Sequence, residues 1–146
     1  MIQKLYHAHK MGVDIRLNIR GMMSLLPKHD NDLPPIPAIA FIDRNLEHSR
    51  ILIFGNGGSE KIYISSADFM ARNLDRRVEV AAPIYDPQLK KELRMIWDLQ
   101  WADNCSARIL DNNLSNTMKH PENEPEFRAQ EQIYRHLKIQ SELGKG

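Results

Sequence analysis

Two basic side chains, His48 and Arg50, stand just before an apolar run in the stretch Asn45 to Asp68, NLEHSRILIFGNGGSEKIYISSAD. An imidazole can give or take a proton, and a guanidinium beside it carries a fixed positive charge, so the pair suits chemistry on phosphate groups. A third basic group, Arg20, follows the alternating run VDIRLNI and precedes Gly21. That is the end of a predicted strand, where open α/β sheets usually bind ligands. The ordinary reading of His48 stays open beside the functional one, because a lone histidine at a strand mouth more often plays a structural part.

The elements that must position these groups can be read from turn chemistry and periodicity. Ile51 to Phe54 and Ile62 to Ser65 are rich in strand formers and flank Asn56, Gly57 and Gly58, residues that tolerate positive φ, which predicts an antiparallel hairpin. If its first strand begins near Leu46, His48 and Arg50 share one face while Glu47 points the other way. The segment Gly55 to Gly58 resembles a phosphate loop in composition only. It lacks the GxxxxGK[ST] order, and no helix pattern follows it, so it is read as a turn.

Upstream, Ile2, Leu5, Tyr6 and His9 follow a helical period directly after Met1, with no capping residue before them. A chain that starts inside a helix is expected to be a piece of a longer protein. Gly12 offers a stop, and Val13, Ile15, Leu17 and Ile19 would share one face of a strand. The prolines at 27, 34, 35 and 37 mark a loop, and Ala38 to Ile42 re-enters as a strand. Further on, Val78 to Ala82 reads as a strand. Asp86 and Pro87 start a helix whose stripe Leu89, Leu93, Ile96 and Trp97 is expected in the core. Ser106 to Leu110 is a candidate edge strand and Asp111 to Pro121 a polar loop. A last helix is predicted from near Pro125 to Gly144, with Phe127, Gln130, Tyr134 and Leu137 on one face.

With 146 residues, 42% hydrophobic and 27% charged, one globular domain spanning 1–146 is expected. A formal charge of +1 supplies no broad field for nucleic acid or an anionic membrane, so any anion site must be local. The single cysteine, Cys105, excludes an internal disulfide and reads as a small packed residue rather than a nucleophile. No apolar run nears the roughly 20 residues that span a bilayer, so a soluble, cytoplasmic protein is expected.

Other candidates weigh less. His7 and His9 lie two apart, about 200° apart on a helix, so their HxH spelling is no metal pair. His29, His120 and His136 read as surface residues. The carboxylates Asp14, Asp43, Glu47, Asp68, Asp75 and Glu79 scatter over several elements and form no evident acid/base pair. Arg72, Arg76 and Arg77 beside Asp75 read either as a solvated, ion-paired edge or as phosphate ligands.

Three longer motifs, IRGMMSLLP (Ile19 to Pro27), DRNLEHSRILIFGNGG (Asp43 to Gly58) and YISSADFMARNLDRRVEVAAPI (Tyr63 to Ile84), resemble the C-terminal domain of polyphosphate kinases. KLYHAHKMGVDIRLNIRG, DPQLKKELRMIWDLQWAD, SARILDNNLSN and FRAQEQIYRHL resemble its other segments, so the likeness covers nearly the whole chain. It implies an α/β fold of the phospholipase D-like kind, a mixed β-sheet flanked by helices, in which two domains share a cleft. It implies that His48 and Arg20 contact nucleotide or polyphosphate phosphates, with Arg50 a weaker contact, His48 being the catalytic side chain here. The histidine that becomes phosphorylated is implied to lie in an upstream domain. ATP or ADP, polyphosphate, the upstream domains and further copies of the full-length protein are the implied partners, and Mg2+ the implied cofactor, with no ligand set evident here. Family members usually carry G-x-S-[ED]-N-I where this chain has NDLPPI (Asn31 to Ile36), and Met23 stands where a cysteine is frequent. Two competing readings are another phospholipase D-like phosphodiesterase or phosphatidyltransferase, which would want lysine at Arg50, and a non-catalytic module that only binds nucleotide, polyphosphate or a sister subunit.

Overall fold

The computed structural model describes residues 1–120 and 124–143. The chain packs as two compact units, one built from Met1–Glu47 and the residues from Leu99 on, the other from His48–Asp98.

In the first unit, helix α1 (Ile2–Lys10) half-buries Ile2, Leu5, Tyr6 and His9 together, as its periodicity predicts, and has no side-chain cap at Met1. Gly12, at φ 84, turns the chain out of the helix, a conformation that costs glycine least. Strand β1 is only Leu17–Asn18, shorter than the predicted run from Val13. Val13 is exposed, and Asp14 pairs with Arg16 at 3.5 Å. The partner strand explains the shortening: β2 (Ala38–Phe41) starts only after the proline loop and offers four residues. β1 lies parallel to β2, with Leu17 opposite Ala38, and β2 pairs antiparallel with β6 (Ala107–Ile109), with Ile39 opposite Ile109. This mixed sheet, ordered β1-β2-β6, has the predicted β6 at its edge. All four residues of the central strand are buried, as expected for a strand covered on both faces. Ile39, Phe41, Ala107 and Ala129 form the core cluster, with Trp101 packed against it.

The last helix differs from expectation. α4 spans Ala129–Leu143, beginning four residues after Pro125, and Tyr134 and Leu137 are exposed. The buried side holds Ala129, with Ile133 and His136 half-buried at helical spacing behind it. The cause is a clamp from Asp103 and Asn104. Asn104 Oδ1 accepts the Phe127 N–H at 2.7 Å and its Nδ2 donates to the Pro125 carbonyl at 2.9 Å, holding 125–127 out of the helix. Asp103 Oδ2 then accepts the Ala129 N–H at 2.7 Å, doing from a distance what an N-cap does. The predicted end at Gly144 lies outside the described residues.

In the second unit, β3 (Ile51–Phe54), β4 (Lys61–Ser65) and β5 (Ala81–Ile84) form an antiparallel sheet in that order. The predicted hairpin holds, with Ile51 opposite Ile64 and Phe54 opposite Lys61. Asn56, Gly57 and Gly58 have φ of 45, 62 and 93, so the turn needs the residues it has. Two N–H groups serve the turn itself, Gly58 donating to the Gly55 carbonyl and Ser59 to that of Asn56. β3 starts at Ile51, not near Leu46; residues 46–50 carry no strand pairing apart from the Arg50 carbonyl, which accepts the Ser65 N–H.

β5 starts three residues later than the predicted Val78–Ala82 and ends two later. The Val80 N–H goes to the Ser66 hydroxyl instead of to a strand, and Val78 is fully exposed. Pro83, opposite Tyr63, is tolerated because β5 is an edge. A short helix, α2 (Ala71–Arg76), occupies what reads in sequence as a charged string. Helix α3 (Pro87–Ala102) starts as predicted, with Asp86 Oδ1 accepting the N–H groups of Gln88 at 2.8 Å and Leu89 at 2.9 Å. Its stripe is not core: Leu89 is exposed and Leu93, Ile96 and Trp97 only half-buried, while Gln100 is the buried residue of the helix.

Candidate functional site

His48 and Arg50 do meet, although they sit in extended chain rather than on a strand. Arg50 Nη1 lies 3.3 Å from His48 Nδ1 and 3.1 Å from the His48 carbonyl, and Nη2 lies 3.5 Å from Nε2. A guanidinium has only donors, so the imidazole nitrogen without a proton is the one that can accept. On its other side Arg50 Nε donates to Asp68 Oδ1 at 2.8 Å, a half-buried ion pair. Asp68 thus orients Arg50, and Arg50 braces an exposed His48.

The SSAD motif (Ser65 to Asp68) supplies the brace. Ser65 Oγ accepts the Ala67 N–H at 3.1 Å, which shapes the turn leading to Asp68. The Ser66 hydroxyl donates to Glu79 Oε2, and Glu79 Oε1 accepts from the buried Asn73 amide at 2.7 Å. The Ser66 and then the Asn73 hydrogen bonds hold the Glu79 carboxyl below the usual carboxylate range. Glu79, scattered in sequence, is therefore the tie between the residues after β4, α2 and the approach to β5.

Arg20 belongs to the first unit. Its Nη1 donates to the Glu47 carbonyl at 2.7 Å, and its other N–H groups have no hydrogen-bond partner among the described residues. The Glu47 side chain accepts from Gln100 Nε2 at 3.1 Å and from Gln130 Nε2 at 2.8 Å. Sequence reading missed Gln100 and placed Gln130 only on a helix face, without its hold on Glu47. Their long separation from Glu47 leaves no local spacing to detect; the one available sign is a glutamine on the inner side of an amphipathic helix.

The remaining candidates fall elsewhere. Asp43 pairs with Arg128 at 2.5 Å. Arg72, Asp75, Arg76 and Arg77 are exposed, and none forms an ion pair among the described residues, which corrects the ion-paired-edge reading. His29 is not a free surface residue: its ring stacks on Tyr6 at 3.9 Å, with His9 tilted against it at 5.3 Å. Cys105 is half-buried, and burial pushes its thiol up, away from thiolate chemistry. An apolar groove of about 410 Å3 along Pro27, Pro35 to Ala38 and Ile109 to Asn113 involves none of the three candidate side chains. Among the described residues, no three His, Cys, Asp or Glu side chains come together to hold a metal ion. No helix among them is long and apolar enough to cross a membrane.

The family model described as polyphosphate kinase C-terminal domain 2 matches residues 1–130. The chain is 44% identical over 138 residues to a polyphosphate kinase of Escherichia coli, covering 94% of this chain and 20% of that protein. A Klebsiella pneumoniae polyphosphate kinase is 43% identical over the same shares. The crystal structure of polyphosphate kinase from Porphyromonas gingivalis superposes with a TM-score of 0.89 at 44% identity, over 97% of this chain and 22% of that one. The chain thus spans about a fifth of the length of the relatives it matches. The mixed α/β, phospholipase D-like class implied by the motifs is the class observed. By its sequence and its fold, this chain belongs to the polyphosphate kinase C-terminal domain 2 family.

Proposed function

We propose that the chain supplies one wall of the phosphoryl-transfer cleft of a polyphosphate kinase, which moves the ATP γ-phosphate reversibly onto inorganic polyphosphate. The observation that carries this is the 44% identity to polyphosphate kinases across 94% of the chain. It also stands against a different phospholipase D-like phosphodiesterase. Phosphoryl transfer asks mainly for positioning and for neutralisation of charge on the moving group. Arg20, tethered through one nitrogen to a neutral carbonyl, keeps its charge and its remaining donors for phosphate oxygens. His48, braced by Arg50, gives a hydrogen bond or proton to the entering or leaving phosphate. Arg50 is committed to Asp68 and His48, so it acts chiefly by orienting the ring. The covalent step belongs to a phosphohistidine supplied by an upstream domain outside this chain, and the chain alone is inactive.

Mg2+ belongs to this reading through the family, although among the described residues no three His, Cys, Asp or Glu side chains gather into a site for it. In this reading the full-length protein works in the cytoplasm as a homo-oligomer. The test is His48→Ala and Arg20→Ala in a full-length polyphosphate kinase carrying this sequence. Each is expected to cut polyphosphate synthesis about a hundredfold or more with little change in stability. Wild-type rates in both variants refute the assignment.

A further inference from the structure

The Glu47 carboxylate is held in an unusual way. It has no cation within salt-bridge distance among the described residues, although Arg20 is bonded to the same residue. Arg20 takes the Glu47 carbonyl instead, and each carboxylate oxygen takes the N–H of a neutral amide, Oε2 from Gln100 on α3 and Oε1 from Gln130 on α4. Gln100 is buried, and Asn18 of β1 donates to its Oε1 at 3.3 Å, which turns its Nε2 toward Glu47. Gln130 also brackets Asn45, accepting its N–H at 3.1 Å and donating to its carbonyl at 2.8 Å. Asn18, Gln100 and Gln130, all residues of the first unit, therefore hold the segment 45–47, and Arg20 hangs from the last carbonyl of that segment.

We infer that Glu47 is a positioning residue for Arg20: the Gln100 and Gln130 amides hold the Glu47 side chain so that its carbonyl presents the Arg20 guanidinium in one orientation. This rests on Arg20 binding phosphate in the proposed function. The choice of partners has an electrostatic consequence. A carboxylate paired directly to Arg20 would cancel the charge an anionic substrate needs, whereas a carbonyl orients the guanidinium and leaves the charge in place. Charge-assisted bonds to both carboxylate oxygens make the anchor stiff, and small misplacement of a phosphate-binding group is costly in rate.

The experiment is a double-mutant cycle in a full-length polyphosphate kinase carrying this sequence, reading kcat and KM for ATP in polyphosphate synthesis. Glu47→Ala is expected to lower kcat/KM about tenfold or more when Arg20 is intact. In an Arg20→Lys background, where the planar fork is already lost, the same change is expected to cost less than about twofold. Glu47→Gln keeps the size but offers one acceptor oxygen in place of two. It is expected to show the same dependence on Arg20, and it decides the matter if the alanine variant does not fold. Wild-type kinetics for the Glu47 variants, or an equal loss in both backgrounds, overturns the positioning role while a defective Arg20→Lys enzyme leaves the proposed function standing. An unimpaired Arg20→Lys and Arg20→Ala enzyme instead overturns the phosphate-binding role of Arg20, and the inference with it.

Discussion

The two units bury very different things. The first holds Leu25, Ile36, all of β2, Ala107 and Ala129, together with buried Gln100, Asp103, Asn104 and Ser106. In the second, among the described residues, only Ile62 and Asn73 are buried, while Phe54, Phe69, Leu74, Val78 and Val80 are exposed. The first unit is therefore held by a core and by buried polar clamps, the second by strand ladders, the Arg50–Asp68 ion pair, the pairs of Arg94 with Glu60 and Asp98, and the Ser66, Asn73 and Glu79 tie. Arg20 belongs to the unit with the larger buried core, and His48 and Arg50 to the unit that buries little. The contrast teaches that anchorage comes from different physics on the two sides: satisfied buried polar groups in one, hydrogen-bonded extended chain in the other.

The largest effect should come from Asp103, fully buried, whose Oδ1 accepts the N–H groups of Cys105, Ser106 and Ala107 and whose Oδ2 accepts that of Ala129. Asp103→Ala leaves four backbone donors wanting and is expected to cost about 3–5 kcal/mol in urea denaturation. A loss under about 1 kcal/mol would break the contrast. Next comes Ile62→Ala, expected to cost about 2–4 kcal/mol and to lower hydrogen-exchange protection in β3, β4 and β5 while sparing β2. Equal loss of protection in β2 would show that the units unfold as one. Asp86→Ala removes the cap of α3 and is expected to cost about 1 kcal/mol by the same denaturation measurement.

The smallest effect is a pH dependence. Glu79 has its folded carboxyl held below its unfolded value, so its contribution is present above the unfolded value and is lost as pH falls through the folded one. Denaturation followed from neutral to acid pH should therefore show a shallower acid decline for Glu79→Gln than for the wild type. An identical decline would remove Glu79 from the account.

What could be read from sequence tracks what is local. The hairpin, the Asp86 cap and the half-buried face of α1 depend on neighbours within a few residues, and they were legible from turn and capping preferences and periodicity. The start of α4 was not, because a carboxylate 26 positions away sets it. β1 and β5 were misplaced at their ends because a short partner strand limits one and a serine hydroxyl diverts the Val80 N–H of the other. The contact of His48 with Arg50 follows from their spacing, whereas the Asp68 brace and the hold of Gln100 and Gln130 on Glu47 are tertiary.

The most direct test of the central claim compares ATP-dependent polyphosphate formation by this chain alone, confirmed folded by circular dichroism, with that by a full-length polyphosphate kinase carrying it. One wall of a shared cleft predicts no polymer from the chain and robust synthesis from the full-length protein. Sustained polyphosphate synthesis by the chain alone would contradict it.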